Sequence, residues 1–300
     1  MNQYTREELW QVLDQLSPLS LAGSWDNVGV LLESLPNQSV KQLKDEKILL
    51  TIDLSESVFE EALAHQCTVI VTYHPIIFGG LKRLTLANPK CRTLLRAAQA
   101  GIAIYSPHTA LDAVHNGVCD WLAYCALLAE TKLDKPNFVE QILDLCMSYA
   151  PIEMNPVDPQ QGSGRICTLK ETRSLETICK NLDLSLNQGL SAQQNKTYLR
   201  LATPHGYCST NAQIKSIALC PGAGGSLFKS VPKADILITG EMSHHDILAQ
   251  VEKGTVVILT EHTRCERGFL SYYKKSLMDS LSIPVVLAKS DDDPMYLYQS

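Results

Sequence analysis

GTVVILTEHTRCERGFL, residues Gly254 to Leu270, is the stretch whose reading decides the fold. Thr255 to Leu259 is apolar and β-branched, as in a strand buried on both faces. The polar residues after it read as a helix start that carries His262 and Glu266 four positions apart, on one helical face. An imidazole and a carboxylate just past the carboxyl end of a buried strand stand where open α/β sheets bind ligands, and both are metal-ligating types. A surface pair opening an ordinary helix is an equal reading of this stretch alone. GIAIYSPHTALDA, Gly101 to Ala113, repeats the arrangement, with an apolar strand followed by His108 and then Asp112. The offset between the two stretches is the same for the histidine and for the acid.

Outward from these two stretches, the apolar runs 47–54, 67–72 and 102–105, and again 217–220, 234–239 and 255–259, alternate with helical patterns. That alternation predicts right-handed βαβ units and mainly parallel sheets. Each triple ends in a strand, His-Thr, two residues and an acid, and Glu241 follows the middle strand of the second triple as His74 follows that of the first. The expected fold class is α/β, with two similar βαβαβ-based domains, pseudo-duplicated, and a metal-binding cleft between them where the strand ends meet. Chance similarity of two common βαβαβ units is the competing reading. The expected boundaries are an N-terminal domain 1–130, a connector 131–164 and a C-terminal domain 165–300. Pro136, Pro151, Pro156, Pro159 and DPQQGSGR mark the connector, which holds one helix from Phe138 to Met147.

Local signals fill in the rest. Thr5 and Glu8 form a capping box ahead of Leu9, Val12, Leu13 and Leu16, and Ser55 caps a second helix. In LAGSWDNVGVLLE, Asp26 and Asn27 read equally as turn formers and as site residues. SLNQGLSAQQNK reads as a loop and YLRLA, 198–202, as a strand. The CPGAGGS loop, 220–226, joins a strand to an expected helix.

Composition excludes several classes. With 45% hydrophobic residues over 300, the chain can bury real cores, and no disordered or fibrous class fits. A net charge of −6 argues against dedicated nucleic-acid binding, which needs a basic face. MNQYTREELW has no apolar h-region and no run approaches a membrane span, so no secretory signal and no membrane partner are expected. The ten cysteines lack any C-x-x-C pair and read as reduced core residues.

The candidate ligands are His74, His108, Asp112, Glu241, His244, His245, His262 and Glu266, all placed just past strands. Imidazole and carboxylate donors without sulfur suit zinc, manganese or iron. His244 and His245 are adjacent, so at least one is structural. Gly222, Gly224 and Gly225, with Lys82 nearby on the rim, read equally as an anion cradle and as a tight turn. Arg83, Arg264 and Arg267 could add charge there.

Taken together, SWDNVG, TYHPIIF, SPHTALDA, PGAGGS, ITGEMSHHD and EHTRCERG resemble, in order and spacing, the Nif-three-like family. Its members are also described as dinuclear metal-binding proteins or type-two GTP cyclohydrolase I homologues. The resemblance spans nearly the whole chain. It implies two similar α/β domains, a homohexamer, and one or two divalent ions per chain held by His74, Asp112, His262 and Glu266. Tyr73 departs from the adjacent histidines of many bacterial members and bears on the second ion. A phenol, with a pKa near ~10, is a poor ligand at neutral pH.

Two functions follow as expectations. One is a metal-dependent hydrolase, of cyclohydrolase or phosphoesterase type, for a small phosphorylated or nucleotide substrate, with His108 or Glu241 moving protons. The other is an oligomeric metal-binding regulatory or scaffold protein with partners in transcription. With no secretory signal and no membrane run expected, the setting expected for either is the cytoplasm or nucleus.

Overall fold

The computed structural model describes residues 5–35, 40–129, 137–187, 199–207 and 212–295. Of the loop expected at 185–196, Ser185 and Leu186 are helical, while residues 188–196, like Pro136 and Cys208, lie outside the described residues. In chain order the elements begin α1 (Glu7–Leu16), β1 (Gly29–Leu32), β2 (Ile48–Thr51), α2 (Glu56–Ala64), β3 (Val69–Thr72), α3 (Pro89–Ala100), β4 (Ala103–Ser106) and α4 (His108–Ala113). They continue with α5 (Val118–Leu127), α6 (Phe138–Leu145), β5 (Cys146–Ala150), β6 (Glu153–Met154), β7 (Gly162–Ser163), β8 (Arg165–Ser174), α7 (Leu175–Leu186) and β9 (Arg200–Ala202). The last are β10 (Gln213–Cys220), β11 (Ile236–Thr239), α8 (His244–Glu252), β12 (Val256–Leu259), α9 (Arg264–Arg267), α10 (Leu270–Leu281) and β13 (Val285–Leu287). Among the described residues no helix is long and apolar enough to cross a membrane.

The described residues divide into two compact units, one running to Leu111 and resuming at Leu270–Pro294, the other comprising Asp112–Phe269 and Met295. These boundaries differ from the expected 1–130, 131–164 and 165–300. The stretch expected as a connector contributes α6, β5, β6 and β7, and β5 pairs with β8 inside the second sheet. The C-terminal β13 returns to the first unit, pairing in parallel with β2.

In the first unit the sheet order is β1-β4-β3-β2-β13, parallel except for β1. All four residues of β2, β3 and β4 are buried, as a sheet covered on both faces requires. Leu49, Ile70 and Ile104 pack with Val58, Phe59, Leu94 and Ala97 of α2 and α3. On the other face Tyr105 stacks on Trp10 of α1 at 5.9 Å. Ser55 caps α2 as expected, accepting from Val58 N, a bond worth ~1 kcal/mol. Thr5 does not cap α1. The N-cap position falls on Arg6, whose buried guanidinium donates to Glu46 Oε1 (2.7 Å), Ser34 O (2.8 Å), Gly101 O (3.2 Å) and Thr68 O (3.3 Å). These distant contacts fix where the helix starts, over a local capping bond.

In the second unit the larger sheet has the order β5-β8-β10-β11-β12-β9. β10, β11 and β12 are parallel, and β9 lies antiparallel on β12 as β1 does on β4. This shared plan agrees with the α/β reading and with duplication. The match is one residue out of phase at the site. Ala103 in β4 and Val256 in β12 each pair with the first residue of the middle strand, yet His262 lies one residue further past its strand than His108 does. The turn after β12 is therefore one residue longer.

His262 consequently precedes α9, where the sequence placed it on the helix. No α-helix follows CPGAGGS either, only a 3-10 turn, Leu227–Ser230. α5, which the periodic pattern did not reveal, is buried along all ten residues. A helix covered on every side has no polar face to mark it.

Candidate functional site

Three histidines share one local design. In the first unit, β3 ends at Thr72 and delivers His74, whose amide donates to Ile52 O (3.0 Å), while Thr72 Oγ1 donates to His74 O (2.9 Å). Asp53, two residues past β2, places Oδ1 3.0 Å from His74 Nδ1. His108 opens α4 with φ of 32°, a left-handed conformation that costs a non-glycine residue about 1–3 kcal/mol and is kept where the surroundings over-determine it. Its Nδ1 lies 2.7 and 2.8 Å from the two carboxylate oxygens of Asp26, which also accepts from Thr109 Oγ1 at 2.5 Å. In the second unit His262 Nδ1 lies 3.1 Å from Glu241 Oε1, and Glu241, two residues past β11, matches His74 in place.

A carboxylate on Nδ1 fixes the neutral tautomer, with Nδ1 donating and Nε2 holding the lone pair. Sequence reading set Glu241 among the proton movers and left Asp26 undecided between turn and site. The geometry makes both orienters of a histidine ring. Asp53 was missed altogether, and its only sequence signal is its place just past a buried strand.

The carboxylate of Asp26 is fully buried. Burial by itself would raise its pKa, but hydrogen bonds from His108 and Thr109 and the charge of His108 outweigh that and hold it below the usual carboxylate range. A lowered folded-state pKa contributes stability that is fully present above the unfolded value, about 4, and is lost as pH falls through the folded value. Asp26→Asn is therefore expected to lower the urea midpoint at pH 6 and to flatten its decline between about pH 4 and 2. Parallel pH curves for parent and variant would contradict the assignment.

Around His262 the second unit builds a cradle. His262 Nε2 stands 3.7 Å from Glu266 Oε1, and Glu266 is 3% exposed. Two donors bonded to one ion at ~2.0–2.2 Å stand roughly 3–3.5 Å apart, so the pair fits a shared metal after a small side-chain adjustment. Burial, and after it the nearby carboxylates of Asp112 and Glu266, raise the pKa of Cys220 and Cys265. A Cβ added to Gly222, at φ +61°, would lie 2.7 Å from Glu266 Oε1 and 3.2 Å from His262 Nε2. Only glycine leaves both donors their room.

The same loop does not offer a ready anion nest. Gly222 N donates to Cys265 Sγ (3.2 Å) and Gly224 N to Thr239 Oγ1 (2.9 Å), while a Cβ on Gly225 would sit 3.6 Å from an oxygen of Asp246. The short 3-10 turn also lacks the aligned amides of a helix N-terminus. Lys82 is exposed in the loop after Phe78. His244 and His245 open α8, both exposed. Tyr73 is 1% exposed, its ring set edge-on against His108 at 5.6 Å, so it serves as a packing wall for that histidine.

A family profile described as Duf34/NIF3 (NGG1p interacting factor 3) matches residues 4–294. A Schizosaccharomyces pombe relative, "Protein NIF3 homolog", is 36% identical and aligns over 96% of this chain and 96% of its own. The Saccharomyces cerevisiae "NGG1-interacting factor 3" is also 36% identical, over 91% of this chain and 89% of its own. Among solved structures, a Bacillus cereus protein related to NIF3 superposes with a TM-score of 0.74 at 16% identity, covering 99% of this chain and all of that one.

Proposed function

The chain belongs to the Duf34/NIF3 family, and on that premise we propose a divalent-metal hydrolase for a small phosphorylated or nucleotide substrate. The ligands in this reading are His74, Asp112, His262 and Glu266, holding one or two ions of zinc, manganese or iron. The observation that carries it is His262, fixed at Nδ1 by Glu241 and facing Glu266 at Nε2 across the space that Gly222 leaves clear. His74, fixed at Nδ1 by Asp53, repeats the design. When bound, a divalent ion supplies Lewis acidity.

The chain's own residues do the rest. His108 accepts a proton at Nε2, and Asp26 stabilises the imidazolium that results while holding the ring in place. Glu241 and Asp53 orient ligands. Lys82 offers positive charge to a phosphate. The homohexamer that the resemblance implies, and the cytoplasmic or nuclear setting expected from the sequence, belong to this reading.

The test is a screen of metal-loaded protein against nucleotides and phosphoesters. His262→Ala is expected to lose metal by well over about tenfold and turnover with it. His108→Asn should keep the metal and lose about 10²–10⁴-fold in kcat. Turnover that survives His262→Ala would overturn the assignment. The name of the S. cerevisiae relative supports a second reading, a metal-bearing protein that binds a partner in transcription. Full metal content with no turnover on any substrate would favour it.

A further inference from the structure

In the first unit, two large aromatic side chains stand in solvent beside His108. Trp25 is 66% and Phe78 54% exposed, their rings meet at 6.1 Å and 61°, and each lies edge-on to the His108 ring, at 6.3 and 6.2 Å. Exposed aromatics are ordinary when scattered, but an adjacent pair against a histidine–carboxylate dyad is a patch with a direction.

The pair is also held in place. One part of the indole lies directly over Gly23, where an added Cβ would come 2.9 Å from Nε1 and Cε2. Gly23 N donates to Thr109 Oγ1 (3.0 Å), the hydroxyl that itself donates to Asp26. Asn27 Nδ2 donates to Ile77 O (2.5 Å) and so ties the Trp25 loop to the backbone beside Phe78. Two rings anchored by the hydrogen bonds that set the dyad are preorganised, so little ordering entropy is lost when something stacks on them. Past Phe78 come Gly79 and Gly80, with open space around both, and then the exposed Lys82 and Arg83.

The geometry points to a stacking subsite. Resting on the hydrolase reading, we infer that Trp25 and Phe78 receive a planar heteroaromatic ring, a nucleobase, as the base of a phosphorylated substrate whose reacting part lies at His108. Aromatic faces bind any base with little sequence preference, and the basic loop residues complement an attached phosphate.

Binding is measured on the full-length chain, as purified and after chelator treatment, with adenosine monophosphate and with ribose 5-phosphate, which lacks the base. The nucleotide is expected to quench tryptophan fluorescence saturably, because of the three tryptophans Trp121 is fully buried and Trp25 is the most exposed. Ribose 5-phosphate should bind at least about tenfold more weakly. By calorimetry, Trp25→Ala and Phe78→Ala should each weaken nucleotide binding about tenfold, and Trp25→Phe should restore most of it. Equal binding of the two ligands, or unchanged affinity in both alanine variants, would overturn the subsite. So would unchanged affinity with a lower oligomeric mass, which would assign the pair to contact with a second copy. Because chelated protein is included, an absent metal or absent turnover strikes the hydrolase reading and leaves this result standing.

Discussion

Alanine in place of Gly222 is expected to lower bound divalent metal about 10- to 100-fold, as much as removing a residue that orients a ligand. The added methyl would lie 2.7 Å from Glu266 Oε1 and 3.2 Å from His262 Nε2, so both donors must turn away. The backbone adds to the effect, since φ of +61° costs an L-residue roughly 1–2 kcal/mol. Gly222 O also accepts from Glu241 N (2.9 Å), so movement of the loop reaches the residue that orients His262. Gly225→Ala is the control, because its Cβ would meet Met242 Cγ at 3.4 Å and Asp246 Oδ2 at 3.6 Å, ordinary contacts. Elemental analysis after dialysis, with circular dichroism to verify folding, reads the outcome. Full metal content in a folded Gly222→Ala protein would remove His262 and Glu266 from the ligand set.

The second large effect concerns stability. Arg165, 1% exposed, donates through Nε to Asp120 Oδ1 (2.5 Å) and through Nη2 to Asp120 Oδ2 (3.1 Å), and its Nη1 serves Gly162 O and Gly164 O. Asp120 accepts further from Tyr149 Oη (2.6 Å) and Asn116 N (2.7 Å). Arg165→Met leaves a buried carboxylate without its counter-ion, and the expected loss is about 3–5 kcal/mol by urea unfolding. Arg165→Met combined with Asp120→Asn should recover part of this, because the stranded charge is then gone. A loss below about 1 kcal/mol in the single variant would mean that the pair is not held as described. Arg165 also reaches Ala113 O (3.4 Å), next to Asp112, so weakened metal binding should accompany the loss.

The anion-cradle expectation shows why a glycine-rich loop is ambiguous in sequence. PGAGGS has the composition of a phosphate loop, but composition does not show whether its amides are already occupied. Here Cys265 Sγ and Thr239 Oγ1 take two of them, and the loop's glycines serve clearance. The exposed aromatic pair was likewise invisible, because Trp25 and Phe78 lie far apart in the chain and are brought together by the fold, with the Asn27–Ile77 bond tying their two segments.

What the sequence determined by itself was local or periodic. Continuous apolar runs marked β2, β3, β4, β11 and β12, Ser55 marked a helix start, and the repeated His-Thr pairs marked the two turns where donors gather. Each of these depends on a few neighbouring residues. The tertiary structure decided what depends on distant partners. It put the start of α1 at Arg6 through contacts with Ser34, Glu46, Thr68 and Gly101, and returned β13 to the first sheet beside β2. It buried α5 on all sides and gave each of three histidines its carboxylate, His74 to Asp53, His108 to Asp26 and His262 to Glu241. Backbone propensity and apolar period act within a turn or a strand, whereas a ring nitrogen's partner is set by which strand ends the sheet brings side by side.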